Sequence, residues 1–152
     1  MITSDKCVYV GEFQHNLDAK NRLTIPSKWR FTGDQEDVYL GLPNPIGCIT
    51  VYPPKMVAKL EEKVSSVSLG NEAGQKALMR LFSRADTFGC DKQGRINLSE
   101  KLSIHAHLEK EVILVGNFMT FHIWNPSFYT QYLQTENNQD EHMAHVLTQL
   151  GL

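Results

Sequence analysis

Polar and apolar residues alternate through Arg22-Leu-Thr-Ile25 and again through Arg95-Ile-Asn-Leu98, the period of two that marks a half-buried strand. Leu23, Ile25, Ile96 and Leu98 therefore take the core side, and Arg22 and Arg95 point away from it. A tight turn precedes each strand. Gly94 supplies the positive φ that one turn needs, and Asn21, the next most tolerant residue type, stands in the other. Pro26 and Ser99 each open a short helical turn, through Trp29 and Leu102 respectively. Each segment then predicts a strand, a loop holding Pro or Gly (Gly41 to Gly47; Gly116 and Asn117), and a second strand ending at Pro53 or Asn125. A helix follows in each, Lys55 to about Ser66 and Ser127 to about Thr135. Apolar spacing also predicts a helix over Asn71 to Phe82, with Ala77, Leu78 and Leu81 on one face. A weaker helix runs through His142, Met143, Val146 and Leu150.

The two alternating segments belong to a longer internal match. Asp18-Ala-Lys-Asn-Arg-Leu-Thr-Ile-Pro-Ser-Lys-Trp-Arg-Phe31 aligns with Asp91-Lys-Gln-Gly-Arg-Ile-Asn-Leu-Ser-Glu-Lys-Leu-Ser-Ile104, 73 residues later. Asp18/Asp91, Arg22/Arg95 and Lys28/Lys101 are identical, and Leu23/Ile96, Ile25/Leu98, Trp29/Leu102 and Phe31/Ile104 pair apolar with apolar. Downstream, Val38-Tyr-Leu40 answers Val112-Ile-Leu114, and Thr50-Val-Tyr-Pro-Pro54 answers His122-Ile-Trp-Asn-Pro126. Two tandem copies thus span most of the chain. The expected division is a first repeat at 7–66, a linker and the start of a connecting helix at 67–79, a second repeat at 80–135, and a polar tail with a weak helix at 136–152.

Composition narrows the class. With 152 residues, 41% of them hydrophobic and 21% charged, the chain is ordinary for a soluble globular protein and excludes wholesale disorder, collagen or coiled coil. The net charge of −2 argues against a polybasic coat. The mean hides an asymmetry, because the basic excess sits in residues 1–33 and 55–101 and the acidic excess in 34–54 and 102–152. Cys7, Cys48 and Cys90 are odd in number and far apart, which disfavours a disulfide framework or a thiolate zinc site and suits a reducing compartment. The first residues lack the pattern of a secretory signal. Val112 to Trp124, the most apolar stretch, is interrupted by Gly116, Asn117, Thr120 and His122, so no membrane span is expected. A soluble cytoplasmic protein is the expectation.

Gly11-Glu-Phe, followed by Leu17-Asp-Ala-Lys-Asn-Arg-Leu-Thr-Ile-Pro-Ser-Lys-Trp-Arg30, resembles the first signature of the MraZ family of bacterial transcriptional regulators. The second signature is matched by Arg80-Leu-Phe82 with Ala85, leading into Asp91-Lys-Gln-Gly-Arg95. The similarity extends from about Val8 to the terminal Leu150-Gly-Leu152. It implies an α+β, mainly β fold: two SpoVT–AbrB-like repeats paired as a pseudo-twofold swapped-hairpin β-barrel with short flanking helices. It further implies a ring-like homo-oligomer, associated with the nucleoid, that binds tandem G-rich repeats in double-stranded DNA upstream of the division and cell-wall gene cluster. The family's DNA-contacting arginine maps to Arg22, with Lys20 beside it, and the internal repeat makes Arg95 and Lys92 their counterparts. Asn21 stands where the family's first motif has Gly, and Ser99 where a Pro is often found in the second.

An arginine fork pairs bidentately with guanine O6/N7 or clamps a phosphate, whereas the plain alternative for Arg22 and Arg95 is a solvated arginine paired with Asp18 or Asp91. Lys20, Lys28, Arg30, Lys92 and Lys101 are candidates to track phosphate, or simply serve solubility. Asp18 and Asp91 fit turn caps bonded to nearby backbone, and with Asn21 and Gly94 they form the structural turns. His105-x-His107 and His142-x-x-His145 have ligand-like spacing, but no Cys or carboxylate cluster completes a metal site. No phosphate-binding loop or nucleophile elbow occurs, so no cofactor, small-molecule substrate or enzymatic role is expected. Trp29, Tyr39, Tyr52 and Trp124 read as core or interface residues rather than a base-stacking platform. The rival to a DNA-binding regulator is a protein–protein assembly scaffold or antitoxin-like module without specific DNA binding.

Overall fold

Neither half of the chain satisfies its own strands; each borrows from the other. The computed structural model describes residues 8–30, 38–134 and 139–152. Cys7, Phe31 and the segment limits at 135 and 136 lie outside the described residues. The first half holds β1 (Glu12–Asn16), β2 (Arg22–Thr24), a 3-10 turn at Ser27–Trp29, β3 (Tyr39–Asn44), β4 (Cys48–Tyr52) and α1 (Pro54–Ser65). Then come α2 (Glu72–Phe82), β5 (Asp86–Phe88), β6 (Arg95–Asn97), α3 (Glu100–His105), β7 (Glu111–Asn117), β8 (Thr120–Trp124), α4 (Pro126–Leu133) and α5 (Gln139–Gln149).

A six-stranded sheet runs β1-β7-β8-β4-β3-β5, and β2 pairs with β6 in a separate two-stranded ribbon. Every pairing is antiparallel. Exchanging β1 with β5, β7 with β3 and β8 with β4 reproduces the same order, which places a pseudo-twofold axis between β8 and β4. The early strand β1 pairs with the late strand β7 (Glu12↔Val115 to Asn16↔Glu111), and β5 pairs with the early strand β3. The α+β, mainly antiparallel character agrees with the sequence, but the closed barrel does not form. Among the described residues β1 and β5 end the sheet on opposite sides, and the β2–β6 ribbon hydrogen-bonds only to itself as a ladder.

Two stretches expected as loops are strand. Gly41 to Asn44 belong to β3, and Gly116 and Asn117 to β7; only the residues after them turn. Glycine is needed there for closeness, not for flexibility. A Cβ on Gly41 would stand 2.9 Å from Phe88 Cε1 and 3.0 Å from Leu102 Cδ1, and one on Gly116 would stand 2.5 Å from the Tyr9 carbonyl oxygen. The strands β1 and β5 were not expected at all.

The core gathers residues from both halves: Leu23, Ile25, Trp29, Tyr39, Ile49 and Val51 with Ile96, Leu102, Val112, Leu114, Phe121 and Ile123. Trp29 is almost fully enclosed in it. Its ring meets Tyr9 edge-on at 5.5 Å, Phe13 edge-on at 5.1 Å and Phe121 at 5.1 Å, while its indole N–H donates to the Val10 carbonyl at 3.2 Å. Helix starts follow their expected chemistry: Pro54 and Pro126 stand in the first turns of α1 and α4, and Asn71, Ser99 and Asn125 accept capping bonds from Gly74, Leu102 and Ser127 amides. Helices α1 and α2 are amphipathic yet bury no residue, leaving Met79 at 71% exposure.

Leu23 and Ile96 face each other in the ribbon and are 0% and 1% exposed. Leu23→Ala is expected to lower unfolding free energy by about 2–5 kcal/mol in urea titration, because the side chain is fully enclosed in the shared core and its removal leaves a void. A loss below about 1 kcal/mol would show that the ribbon does not depend on this contact.

Candidate nucleic-acid interface

The two turns that precede β2 and β6 are built alike, bond for bond. Asp18 Oδ1 accepts from the Lys20 and Arg22 amides at 2.9 and 2.8 Å, and its Oδ2 accepts from Arg22 Nε at 2.7 Å. Asp91 Oδ1 accepts from the Gln93 and Arg95 amides at 2.9 Å each, and its Oδ2 from Arg95 Nε at 2.8 Å. The aspartate amides close the loops, Asp18 onto the Arg22 carbonyl at 3.0 Å and Asp91 onto the Arg95 carbonyl at 2.9 Å. Asn21 and Gly94 occupy the left-handed position, at φ 62° and 78°.

Each turn is also fastened to the other copy. The Ile25 amide donates to the Gly94 carbonyl at 2.8 Å and the Leu98 amide to the Asn21 carbonyl at 3.1 Å. In the ribbon Arg22 lies opposite Asn97 and Thr24 opposite Arg95. Residues opposite each other share a face, so Arg22, Thr24, Arg95 and Asn97 stand together on the side away from Leu23 and Ile96. Arg22 and Arg95 are diagonal neighbours in this ladder, a spacing of about 7–8 Å.

The aspartates decide which part of each arginine is offered outward. Both engage Nε, so the terminal Nη1 and Nη2 edge of each guanidinium stays available, and the two arginine side chains remain 29% and 27% exposed. Ion pairs this open to water contribute little to stability. Their effect is orientation: a planar fork with its inner nitrogen held is pre-aimed at a planar or tetrahedral acceptor. Lys20 and Lys92 are exposed beside the aspartates, and Lys28 and Lys101 are exposed on the short helical turns that follow each strand. No carboxylate among the described residues forms an ion pair with any of these four lysines.

The other sequence candidates go elsewhere. His105 Nε2 lies 2.7 Å from the Asn44 carbonyl, while His107 packs edge-on against Phe128, so the two histidines do not converge. No cluster of three metal-ligating side chains occurs among the described residues. Trp29, Tyr39 and Trp124 are buried in the core and Tyr52 is half-buried. Cys48 and Cys90 are not in disulfides. No helix among the described residues is long and apolar enough to cross a membrane.

Sequence reasoning missed one arrangement with a catalytic look. Cys48 Sγ lies 3.3 Å from His122 Nδ1, and Asn117 Nδ2 lies 3.4 Å from His122 Nε2. Burial cancels that chemistry: it pushes the Cys48 thiol up to about 12 and lowers the His122 pKa, so the sulfur is neutral and fully enclosed. No sequence signal pointed to this pair, because only the pairing of β4 with β8 brings it together.

Duplicated Asp–Arg turns on one ribbon, carried by interleaved α+β halves, define a pseudo-twofold protein that presents paired arginines on a single face. The comparisons with known proteins agree on one family. The family model described as "MraZ protein, putative antitoxin-like" matches residues 8–79 and 81–149. A protein of Pediococcus pentosaceus named Transcriptional regulator MraZ is 41% identical over 149 residues, covering 95% of this chain and 100% of that one. Proteins of the same name from Alkaliphilus metalliredigens and Lactobacillus johnsonii are each 34% identical over 146 residues, with 95% of this chain and 100% of theirs covered. The chain belongs to the MraZ family.

The Asp18 and Asp91 carboxyls sit below the usual carboxylate range, chiefly because the Arg22 and Arg95 backbone amides bond to them; desolvation opposes this, and the arginine side chains add to the lowering. A depressed folded pKa contributes stability above the unfolded value and loses it as pH falls through the folded value. Thermal stability is therefore expected to drop below about pH 4. The Asp18→Asn/Asp91→Asn double variant should show a flatter acid limb in melting temperature. An unchanged acid limb would place the pH-sensitive groups elsewhere.

Proposed function

We propose that this chain is a sequence-specific transcriptional regulator, without enzymatic activity, that binds double-stranded DNA through the ribbon face of Arg22 and Arg95. The carrying observation is the paired Asp–Arg turn: two guanidinium forks held by their inner nitrogens and turned outward on one face. A fork with its Nη edge free suits guanine O6 and N7, which fits G-rich operator repeats such as those upstream of the division and cell-wall gene cluster. Lys20, Lys28, Lys92 and Lys101, exposed around the turns, supply phosphate contacts that set register without reading sequence.

The interleaved halves support a swapped-hairpin, SpoVT–AbrB-like reading of the repeats at 7–66 and 80–135, with β1 and β5 each given to the other copy. A ring-like homo-oligomer is supported by α1 and α2, whose amphipathic faces are only partly covered among the described residues, with Met79 exposed. Multiplying a modest ribbon across subunits raises avidity, so a chain with net charge −2 still holds DNA. A cytoplasmic protein acting at the nucleoid follows from this role.

The test is equilibrium binding to a duplex from upstream of the chain's own gene, against a shuffled duplex, at two salt concentrations. Arg22→Ala and Arg95→Ala are each expected to weaken specific binding by about 1–3 kcal/mol, and Lys28→Ala to lower the log–log salt slope by about 0.9 without changing discrimination. If both arginine variants bind like wild type, the assembly-scaffold reading replaces this one.

A further inference from the structure

The two turns are alike in backbone and unlike in what leans on them. Asn21 faces Ser103, with its Nδ2 donating to Ser103 Oγ at 3.0 Å and to the Leu98 carbonyl at 2.8 Å. Gly94 instead lies under Arg30: a Cβ there would stand 2.5 Å from Arg30 Cδ and 2.7 Å from Cζ. Arg30 Nη1 donates to the Gln93 carbonyl at 3.4 Å. Positions 30 and 103 are themselves equivalent in the internal alignment. The two pairs are therefore exchanged. Where the turn carries a side chain its neighbour is short, and where the turn carries none its neighbour is long.

This exchange is electrically lopsided. Arg30 lies over the Gly94 backbone, so Gly94 is buried beneath an exposed guanidinium. No carboxylate among the described residues pairs with Arg30, whereas Arg22 and Arg95 each have an aspartate. Among the described residues, the second turn thus carries a guanidinium with no ion-pair partner. At the first turn the matching place is filled by an uncharged serine hydroxyl.

We propose that these exchanged pairs give the ribbon a fixed polarity on DNA, with Arg30 adding a phosphate clamp beside Arg95 that the Arg22 side lacks. The inference rests on the reading of the ribbon as the DNA-contacting face. A face with near-twofold symmetry docks equally well in two directions on a duplex whose backbones are themselves related by twofold axes. One extra guanidinium on one side removes that degeneracy, since phosphate contacts fix register and orientation but not sequence. Asn21 closes the first turn through neutral hydrogen bonds to the Leu98 carbonyl and Ser103.

The experiment places a single uncharged methylphosphonate at each backbone position in turn across one operator repeat, in the duplex from upstream of the chain's own gene. Wild type is expected to lose affinity unevenly about the repeat centre. Arg30→Ala should abolish the sensitivity on one flank only and lower the salt slope by about 0.9 per engaged protomer, with discrimination against shuffled DNA retained. Arg30 is exposed and its removal leaves the Gly94 turn bonded, which circular dichroism checks. The Asn21→Gly/Ser103→Arg variant should gain the missing sensitivity on the opposite flank. An Arg30→Ala protein with unchanged flank pattern and unchanged slope overturns the polarity alone, provided Arg22→Ala in the same assay loses specific binding. If wild type itself fails to prefer operator over shuffled DNA, the underlying DNA reading fails with it.

Discussion

Three residues of β2 against three of β6 hold the two halves of this protein in register, and every functional statement about the ribbon depends on that pairing. Side chains in a strand alternate between faces, so a slip of one residue would bury arginine and expose leucine. Leu23 opposite Ile96 prevents the slip because both are almost completely enclosed. The backbone bonds from Ile25 to Gly94 and from Leu98 to Asn21 extend the ribbon by one residue at each end, into the turns. Turn, strand and partner strand are therefore one mechanical unit. The arginines inherit their direction from a hydrophobic contact on the opposite side of the ribbon.

Electrostatics then act locally on that frame. Placing two arginines as near neighbours on one face invites repulsion, and each is accompanied by an aspartate that offsets its charge while holding Nε. A chain of near-neutral total charge can in this way keep a directed donor array without a basic surface. The lysines around the turns are long, exposed and individually weak, a combination suited to following a backbone rather than choosing a base.

Much of this was legible in the sequence because it is local. Period-two alternation marked β2 and β6, proline and serine marked the helical turns, and the internal match paired Asp18 with Asp91 and Arg22 with Arg95. What escaped was tertiary. The strands β1 and β5 are sheet edges with polar residues such as Gln14, His15 and Thr87, so neither shows a continuous apolar signal. Gly41 and Gly116 read as loop punctuation, whereas a neighbouring side chain or carbonyl presses on each from another element. The seat of Arg30 on Gly94 joins residues from opposite halves of the internal match, and no window along the chain contains both.

The interleaving of β1 with β7 has a consequence for how the chain is made. Glu12 pairs with Val115, about a hundred residues later, and such non-local closure is the slow kind, because chain entropy is lost before contacts compensate for it. During synthesis the first half leaves the ribosome with both β1 and the outer edge of β3 unpaired, since their partners are still untranslated. It waits in that state for the second half. An exposed strand edge recruits any matching edge, and on a polysome the nearest one belongs to another nascent copy. The duplication that lets one chain serve as its own partner thus shortens the search, because the complementary edges arrive tethered and in order.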